Sequence, residues 1–269
     1  MQIVFRIILF IVGACFGSFL CCQARRLHYR EDKSHNTKKL NPRSICLHCK
    51  KQLKWYDNLP IFSWLLLRGK CRYCHQKIGL AELLSELGLG LAFLLLGFNL
   101  NPIATPLLDW IVFIIALIFT TVLSFLAIYD GLYGELPTIF LILAIVLACI
   151  HLAVQTCMTI NTTGFTPAII WQPLASVAIL GGLYLLLYLI SKGKWVGDGD
   201  WLLATAIAIV LATPVLALIT LFLANFLATL VMLPFIKGNK THKIHFGPFL
   251  ILAFVITYAF STFFITFML

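Results

Sequence analysis

Trp195-Val196-Gly197-Asp198-Gly199-Asp200-Trp201 lies between two long apolar runs, 169–190 and 201–236, and carries two of the chain's ten acidic residues. An ionised side chain at bilayer depth is expensive, so a carboxylate beside an apolar run is a functional candidate by default. The other isolated carboxylate of this kind is Asp130, in Ile128-Tyr129-Asp130-Gly131. Asp130 and Asp200 are expected to meet in space. The apolar runs around them set the class. The 269 residues are 61% hydrophobic and 11% charged, which excludes an ordinary soluble domain.

Working outward, 201–236 is long enough for two helices, with a break near Thr213-Pro214. Each is short, so one is expected to be tilted or to start inside the membrane. A last span follows at 246–268. Upstream, apolar runs near the ~20 residues needed to cross a bilayer recur at 169–190, 137–157, 108–128, 81–99 and 3–22. The reading is an all-α polytopic membrane protein of about eight transmembrane helices, with a small cytoplasmic zinc-binding domain inserted between helices 1 and 2. Its parts are a first transmembrane helix in 1–22, a cysteine-rich segment in 23–80, and the intramembrane domain in 81–269. A cleaved signal peptide is the alternative for the first run, since Val12-Gly13-Ala14-Cys15 resembles a lipoprotein cleavage site. Against it, the apolar run passes Cys15 and ends at Arg25-Arg26, the pattern of a span with a positive cytoplasmic end. Gly13 and Gly17 have the GxxxG spacing that allows close helix packing.

The net charge of +10 does not point to nucleic acid, because the basic residues are clustered. Fourteen of the 20 Lys and Arg fall between Arg25 and Lys77, and five more are Lys192, Lys194, Lys237, Lys240 and Lys243. With the N-terminus outside, 23–80, 129–136, 191–200 and 237–245 share one side of the membrane. That side holds 19 of the 20 basic residues, Arg6 being the exception. By the positive-inside bias it is cytoplasmic. Asp130, Asp198 and Asp200 fall on it as well.

The polar segment 23–80 contains Cys46-Leu47-His48-Cys49 and Cys71-Arg72-Tyr73-Cys74. Two CxxC pairs supply Cys46, Cys49, Cys71 and Cys74 for a four-thiolate zinc site, each pair forming one knuckle. A pair of disulfides is the alternative, disfavoured in a reducing cytoplasm. A segment this short and polar lacks a core, and a metal would supply folding energy. His48 and His75 read as exposed neighbours, and Cys15, Cys21, Cys22, Cys149 and Cys157 as small buried hydrophobes. Glu82 and Glu86 stand one helical turn apart at the start of the second span. They serve either the helix terminus, where negative charge is favourable, or a function.

Two carboxyl groups in contact share a proton. The ionised one can activate a water while the protonated one polarises a scissile carbonyl. Gly197 and Gly199 would let a substrate backbone approach. Two other readings remain open on residue chemistry. The Gly-Asp run is also common turn chemistry, and intramembrane carboxylates serve proton relays, so a proton-coupled transporter with a zinc-knuckle regulatory domain is the competing functional class. A non-catalytic membrane scaffold is a third.

At these residues the sequence resembles the type IV prepilin peptidases, or leader peptidases, of type IV pili, competence pseudopili and type II secretion. Gly197-Asp198-Gly199-Asp200 is similar to the family's GxGD signature, and Asp130 followed by Leu136-Pro137 to its first aspartate motif. Gly17-Ser18-Phe19-Leu20 resembles its first-helix motif. Arg43-Ser44, the four cysteines, Trp55-Tyr56-Asp57-Asn58-Leu59-Pro60 and Ser63-Trp64 resemble its cysteine-rich domain. Phe246-Gly247-Pro248-Phe249 resembles the start of its last helix. The resemblance implies that Asp130 and Asp200 are the catalytic pair of an aspartic endopeptidase in the bacterial inner membrane. It would remove the short basic leader of prepilins or pseudopilins after a glycine on the cytoplasmic side. Asp198, at the signature's variable position, reads as a tuner or bystander. The resemblance also implies N-methylation of the new terminus with S-adenosylmethionine, although 23–80 has no glycine-rich cofactor loop. Membrane lipid is the other expected partner, and nucleic acid is not one. The chain departs from the family pattern at Leu202, where a lysine is usual, at Leu47 and at His245, where prolines are usual. These departures bear on substrate preference and methylation more than on cleavage. His245 reads as a solvated loop histidine.

Overall fold

The computed structural model describes residues 1–31, 44–46, 48–100, 106–194, 196–236 and 245–268. Arg43, Leu47, Trp195, the 101–105 loop and the basic patch of Lys237, Lys240 and Lys243 lie outside the described residues. Among the described residues the chain is helical, with no strand beyond two isolated bridges. It divides into two compact units, Met1–Leu94 and Leu95–Leu269.

The first unit starts with α1, Gln2–Glu31. This helix continues past the apolar run's end at Cys22, because Gln23, Ala24, Arg25 and Arg26 are good helix formers and no Gly or Pro stops it. A single turn of 3₁₀ helix at Trp55–Asn58 and the short α2, Phe62–Leu66, follow. Then comes α3, Leu80–Leu96, whose last two residues belong to the second unit. Gly13 and Gly17 of α1 lie directly on α3. A Cβ on Gly13 would stand 2.6 Å from the Leu89 carbonyl oxygen, and one on Gly17 would strike that of Ser85. The GxxxG spacing is therefore a backbone-to-backbone contact, as close packing in membranes favours.

The second unit contains α4, Leu107–Tyr133; α5, Thr138–Thr163; α6, Ala168–Ser191; α7, Asp200–Leu211; α8, Pro214–Ile236; α9, Gly247–Ala259; and α10, Ser261–Met268. The packing order closes on itself, since α4 packs on α5, α5 on α7, α7 on α6, α6 on α8, α8 on α9, and α9 on α4. Short α7 also touches α9. Its Leu203, Ala204, Ala206, Ile207 and Ala208 are fully buried, so it is apolar on every side for a structural reason. The Ser176 hydroxyl donates to the Ala208 carbonyl at 2.8 Å, tying α6 to it.

The helical class matches expectation, but the span count differs. Five helices are long and apolar enough to cross a membrane, α1, α4, α5, α6 and α8, or six if α9 and α10, bent by 70°, count as one. The remaining two of the eight apolar segments are α3, with 17 residues, and α7, with 12. The break expected near Thr213-Pro214 is present. Ala212 turns into the left-handed region at φ +54 and Pro214 opens α8. The shorter product, α7, starts at the buried Asp200.

Candidate active site and metal centre

In the second unit, Asp130 lies in the last turn of α4 and Asp200 is the first residue of α7. They are 6% and 8% exposed, so both are buried. Each is held through Oδ2 by a glycine backbone N–H. Gly247, at the start of α9, donates to Asp130 at 3.1 Å, and Gly197 donates to Asp200 at 2.9 Å. The chain makes these approaches possible by leaving out side chains. A Cβ on Gly247 would lie 2.8 Å from Asp130 Oδ2. A Cβ on Gly199 would lie 2.7 Å from Leu136 Cβ and 3.2 Å from Leu141 Cδ1, so the Gly197–Asp200 turn is seated on Leu136 and Leu141, which follow Asp130 in the chain. Asp130 lies within electrostatic reach of both Asp200 and His245. His245 is exposed, yet its ring covers Gly134, whose N–H caps α4 by donating to the Asp130 carbonyl at 2.8 Å. Asp198 points to solvent.

Two side chains near this pair carried no signal in the motif reading. Tyr184 of α6 is buried within electrostatic reach of Asp200, its ring 5.3 Å from that of Phe246. Its hydroxyl accepts a hydrogen bond from Asn225 Nδ2 of α8 at 3.2 Å. Asn225 was findable as a polar residue inside an apolar run. The Gly247 N–H was not, because a backbone donor leaves no trace in composition.

In the first unit the four cysteines converge, with all four Sγ atoms within 4.8 Å of one another. Cys46 Sγ and Cys74 Sγ are 3.8 Å apart, which is roughly the S···S separation that ~2.3 Å metal–sulfur bonds give in a tetrahedron. All nine cysteines are free, so no disulfide competes for these thiols. The two knuckles have the same local backbone. The Cys46 N–H donates to Lys51 O and the Cys71 N–H to Gln76 O. The Lys50 N–H returns to Cys46 O and the His75 N–H to Cys71 O. Leu53 closes onto Ser44 O as Ile78 closes onto Gly69 O. Lys50 and His75, each four residues after the first cysteine of its pair, both adopt positive φ, at 58° and 55°. The sequence disclosed the CxxC pairs but not this matched turn. At Cys74 the Gln76 backbone hydrogen bond lowers the thiol's pKa, but desolvation and the neighbouring thiols outweigh it and push it up to about 11. Four crowded thiols are an electrostatic problem that a cation solves, and this cluster could hold a metal ion.

The 3₁₀ turn is clipped to the second knuckle. Asp57, its side chain 2% exposed, accepts from Arg72 Nε at 2.7 Å, a bond that raises the Arg72 pKa further. The Arg72 guanidinium also lies 5.0 Å from the Tyr56 ring centroid.

Fold and sites together define a multi-pass membrane protein with a buried, backbone-tethered aspartate pair in one unit and a four-thiol cluster in the other. Residues 11–100 match the family model for the bacterial peptidase A24 N-terminal domain. The chain is 27% identical over 268 residues to a prepilin leader peptidase/N-methyltransferase of Vibrio cholerae, covering 96% of this chain and 98% of the relative. It is 30% identical over 224 residues to a prepilin leader peptidase/N-methyltransferase of Neisseria gonorrhoeae, covering 81% and 71%. A third relative, the type 4 prepilin-like proteins leader peptide-processing enzyme of Escherichia coli, is 50% identical over 54 residues, or 20% of each chain. No solved structure matches the chain. The chain belongs to the type IV prepilin peptidase family.

Proposed function

We propose that this protein is an aspartic endopeptidase of the bacterial inner membrane that processes prepilin-like substrates. It cuts after the glycine that ends a short basic leader, at the cytoplasmic face, with the N-terminus of the enzyme outside. The observation carrying this reading is that Asp130 and Asp200, from different helices, are both buried and both tethered by a glycine N–H through one oxygen. The second oxygen of each carboxyl is then available for a water and a shared proton. One carboxylate takes a proton from the water, whose oxygen adds to the scissile carbonyl. The partner carboxyl gives its proton to the carbonyl oxygen. Collapse breaks the C–N bond, and the proton first taken from water goes to the leaving amine.

In this reading Cys46, Cys49, Cys71 and Cys74 hold a structural zinc, which replaces the hydrophobic core that the knuckles lack. The second activity in the relatives' names, N-methylation, extends to this chain as part of the proposal. S-adenosylmethionine would supply a methyl group to the deprotonated new amine, a C–N bond forming as the C–S bond breaks with its electron pair staying on sulfur.

Cleavage of a prepilin in detergent, read by mass spectrometry, tests the assignment. Wild type is expected to release a product beginning after the leader glycine, with an added ~14 Da when S-adenosylmethionine is present, the mass of one methyl in place of one hydrogen. Asp130→Asn and Asp200→Asn are each expected to abolish cleavage while remaining folded. Wild-type cleavage by either variant would overturn the dyad.

A further inference from the structure

The segment inserted between α1 and α3 shows an apolar face where a water-borne domain would hide one. In α2, Phe62, Leu65 and Leu66 stand at i, i+3 and i+4, on one face of the turn, and are 69%, 56% and 81% exposed. Trp55 and Leu59, just before them in the chain, are exposed as well. Trp64 turns the other way, its ring against Gly69, where a Cβ would stand 2.8 Å from it. Single apolar residues on a surface need no explanation, but a contiguous group marks an interaction.

The contact between α1 and α3 fixes the depth of this turn. Gly13 faces Leu89 and Gly17 faces Ser85, an antiparallel register that sets Glu86 level with Phe16. That level is about 9 Å inside the end of the apolar run at Cys22. The Glu86 side chain leans back toward the start of α3, as helical side chains do, and meets Ser18, about 6 Å inside the same end. There it accepts the Ile61 N–H at 2.6 Å. Ile61 is thus held below the rim of the membrane, near the level where α1 exposes Phe16 and Phe19. The backbone suits such a place. Ile61, at φ 63 and ψ −52, is the centre of a γ-turn in which the Phe62 N–H bonds Pro60 O at 2.6 Å. The Ser63 N–H bonds Leu59 O and the Leu65 N–H bonds Ile61 O, while Pro60 has no N–H to satisfy. An apolar setting demands that backbone polar groups be met within the protein, and the N–H groups of Ile61, Phe62, Ser63 and Leu65 are.

Charge completes the match. Residues 44–79 carry seven Lys or Arg and one acid, Asp57, which is buried against Arg72. Arg68 and Lys70, just after the apolar turn, are exposed. An apolar face with basic flanks fits an anionic lipid surface, where such a face lies about 5–10 Å into the boundary between headgroups and acyl chains. We propose that residues 59–67 are a membrane anchor, with Phe62, Leu65 and Leu66 among the acyl chains of the leaflet on the knuckle side and Arg68 and Lys70 on the lipid phosphates. The cysteine-rich segment is then bound to the bilayer surface, not suspended in water between two spans. Glu86 gains a role besides favouring the helix terminus, because its bond to Ile61 sets how deep the anchor lies. The proposal does not depend on the peptidase reading.

The test is photo-crosslinking of the full-length protein in liposomes of phosphatidylcholine and phosphatidylglycerol. The photoreactive residue p-benzoyl-phenylalanine replaces Phe62, Leu66 or, as a control, Gln52, an exposed polar residue of the first knuckle. Products are read by mass spectrometry, with and without prepilin present. The probes at Phe62 and Leu66 are expected to gain the mass of a phospholipid severalfold more often than the probe at Gln52, and to take phosphatidylglycerol beyond its share of the mixture. Leu65→Glu combined with Leu66→Glu places charge on the inserted face and is expected to cut lipid labelling by the probe at Phe62 severalfold. Melting temperature checks that each variant is folded. Cross-links to a second copy of the chain, or to prepilin, in place of lipid would overturn the proposal and name the other occupant of the face. Equal lipid labelling at Phe62, Leu66 and Gln52, or none at any of them, would overturn it too, as would labelling at Phe62 that a folded double-glutamate variant leaves unchanged.

Discussion

Replacing Gly247 by alanine isolates the tether on Asp130. The added methyl would lie 2.8 Å from Asp130 Oδ2, closer than carbon and oxygen tolerate, while the Gly247 N–H now bonds that same oxygen at 3.1 Å. Either the carboxyl rotates or the start of α9 recedes, and in both cases the bond is lost. A hydrogen bond to a charged group contributes about 1.5–3 kcal/mol. If that loss falls on the transition state, kcat/KM falls by roughly 10- to 150-fold at 1.36 kcal/mol per decade. Helix formation itself does not suffer, because alanine is the better helix former by up to about 1 kcal/mol. Gly247→Ala is therefore expected to retain its melting temperature within a few degrees and to lose cleavage selectively. The assay is the initial rate of leader removal at subsaturating prepilin, quantified by mass spectrometry, beside a thermal melt. A folded variant with kcat/KM within about twofold of wild type would refute the idea that this N–H positions a catalytic carboxylate.

Gly17→Val drives a branched side chain into the Ser85 carbonyl of α3. Overpacking of this kind costs about 1–3 kcal/mol, so a melting temperature equal to wild type would contradict the contact. The four-cysteine cluster is expected to bind one zinc per chain, measured by mass spectrometry of metal content, and to lose it when Cys46 or Cys71 becomes serine. Thiolate ligands must release protons to bind, so zinc affinity should climb with pH, and competition with a chelator should show acid favouring release. Affinity unchanged across roughly pH 6 to 8 would speak against thiolate ligation.

The sequence disclosed the parts of this protein that repeat a simple rule. Apolar runs located the helices, and the break at Thr213-Pro214 separated α7 from α8. The rule failed in detail where an apolar segment is surrounded by protein and not by lipid, as α7 is, because length then no longer has to match a bilayer. The aspartates stood out because charge is rare in apolar surroundings, and the cysteines because their spacing is chemically restrictive. What holds them was hidden. The Gly247 N–H reaches Asp130 across 117 positions, and the Glu86 carboxylate reaches the Ile61 N–H across 25. Such backbone partners follow only from how helices pack. Gly13 and Gly17 fall between these cases, since their spacing was visible but their partner was not.

That glycine contact has a consequence for the architecture of the amino-terminal unit. With α1 and α3 touching backbone to backbone at Gly13 and Gly17, the chain between Gly17 and Ser85 leaves and re-enters one helix pair. Arg25 of α1 and Glu82 of α3 bridge that pair, and the Ile61 N–H ties the inserted segment to Glu86 of α3. The knuckles and their clip are thus an insertion in a helical hairpin, moored to it by a backbone hydrogen bond as well as by the chain itself.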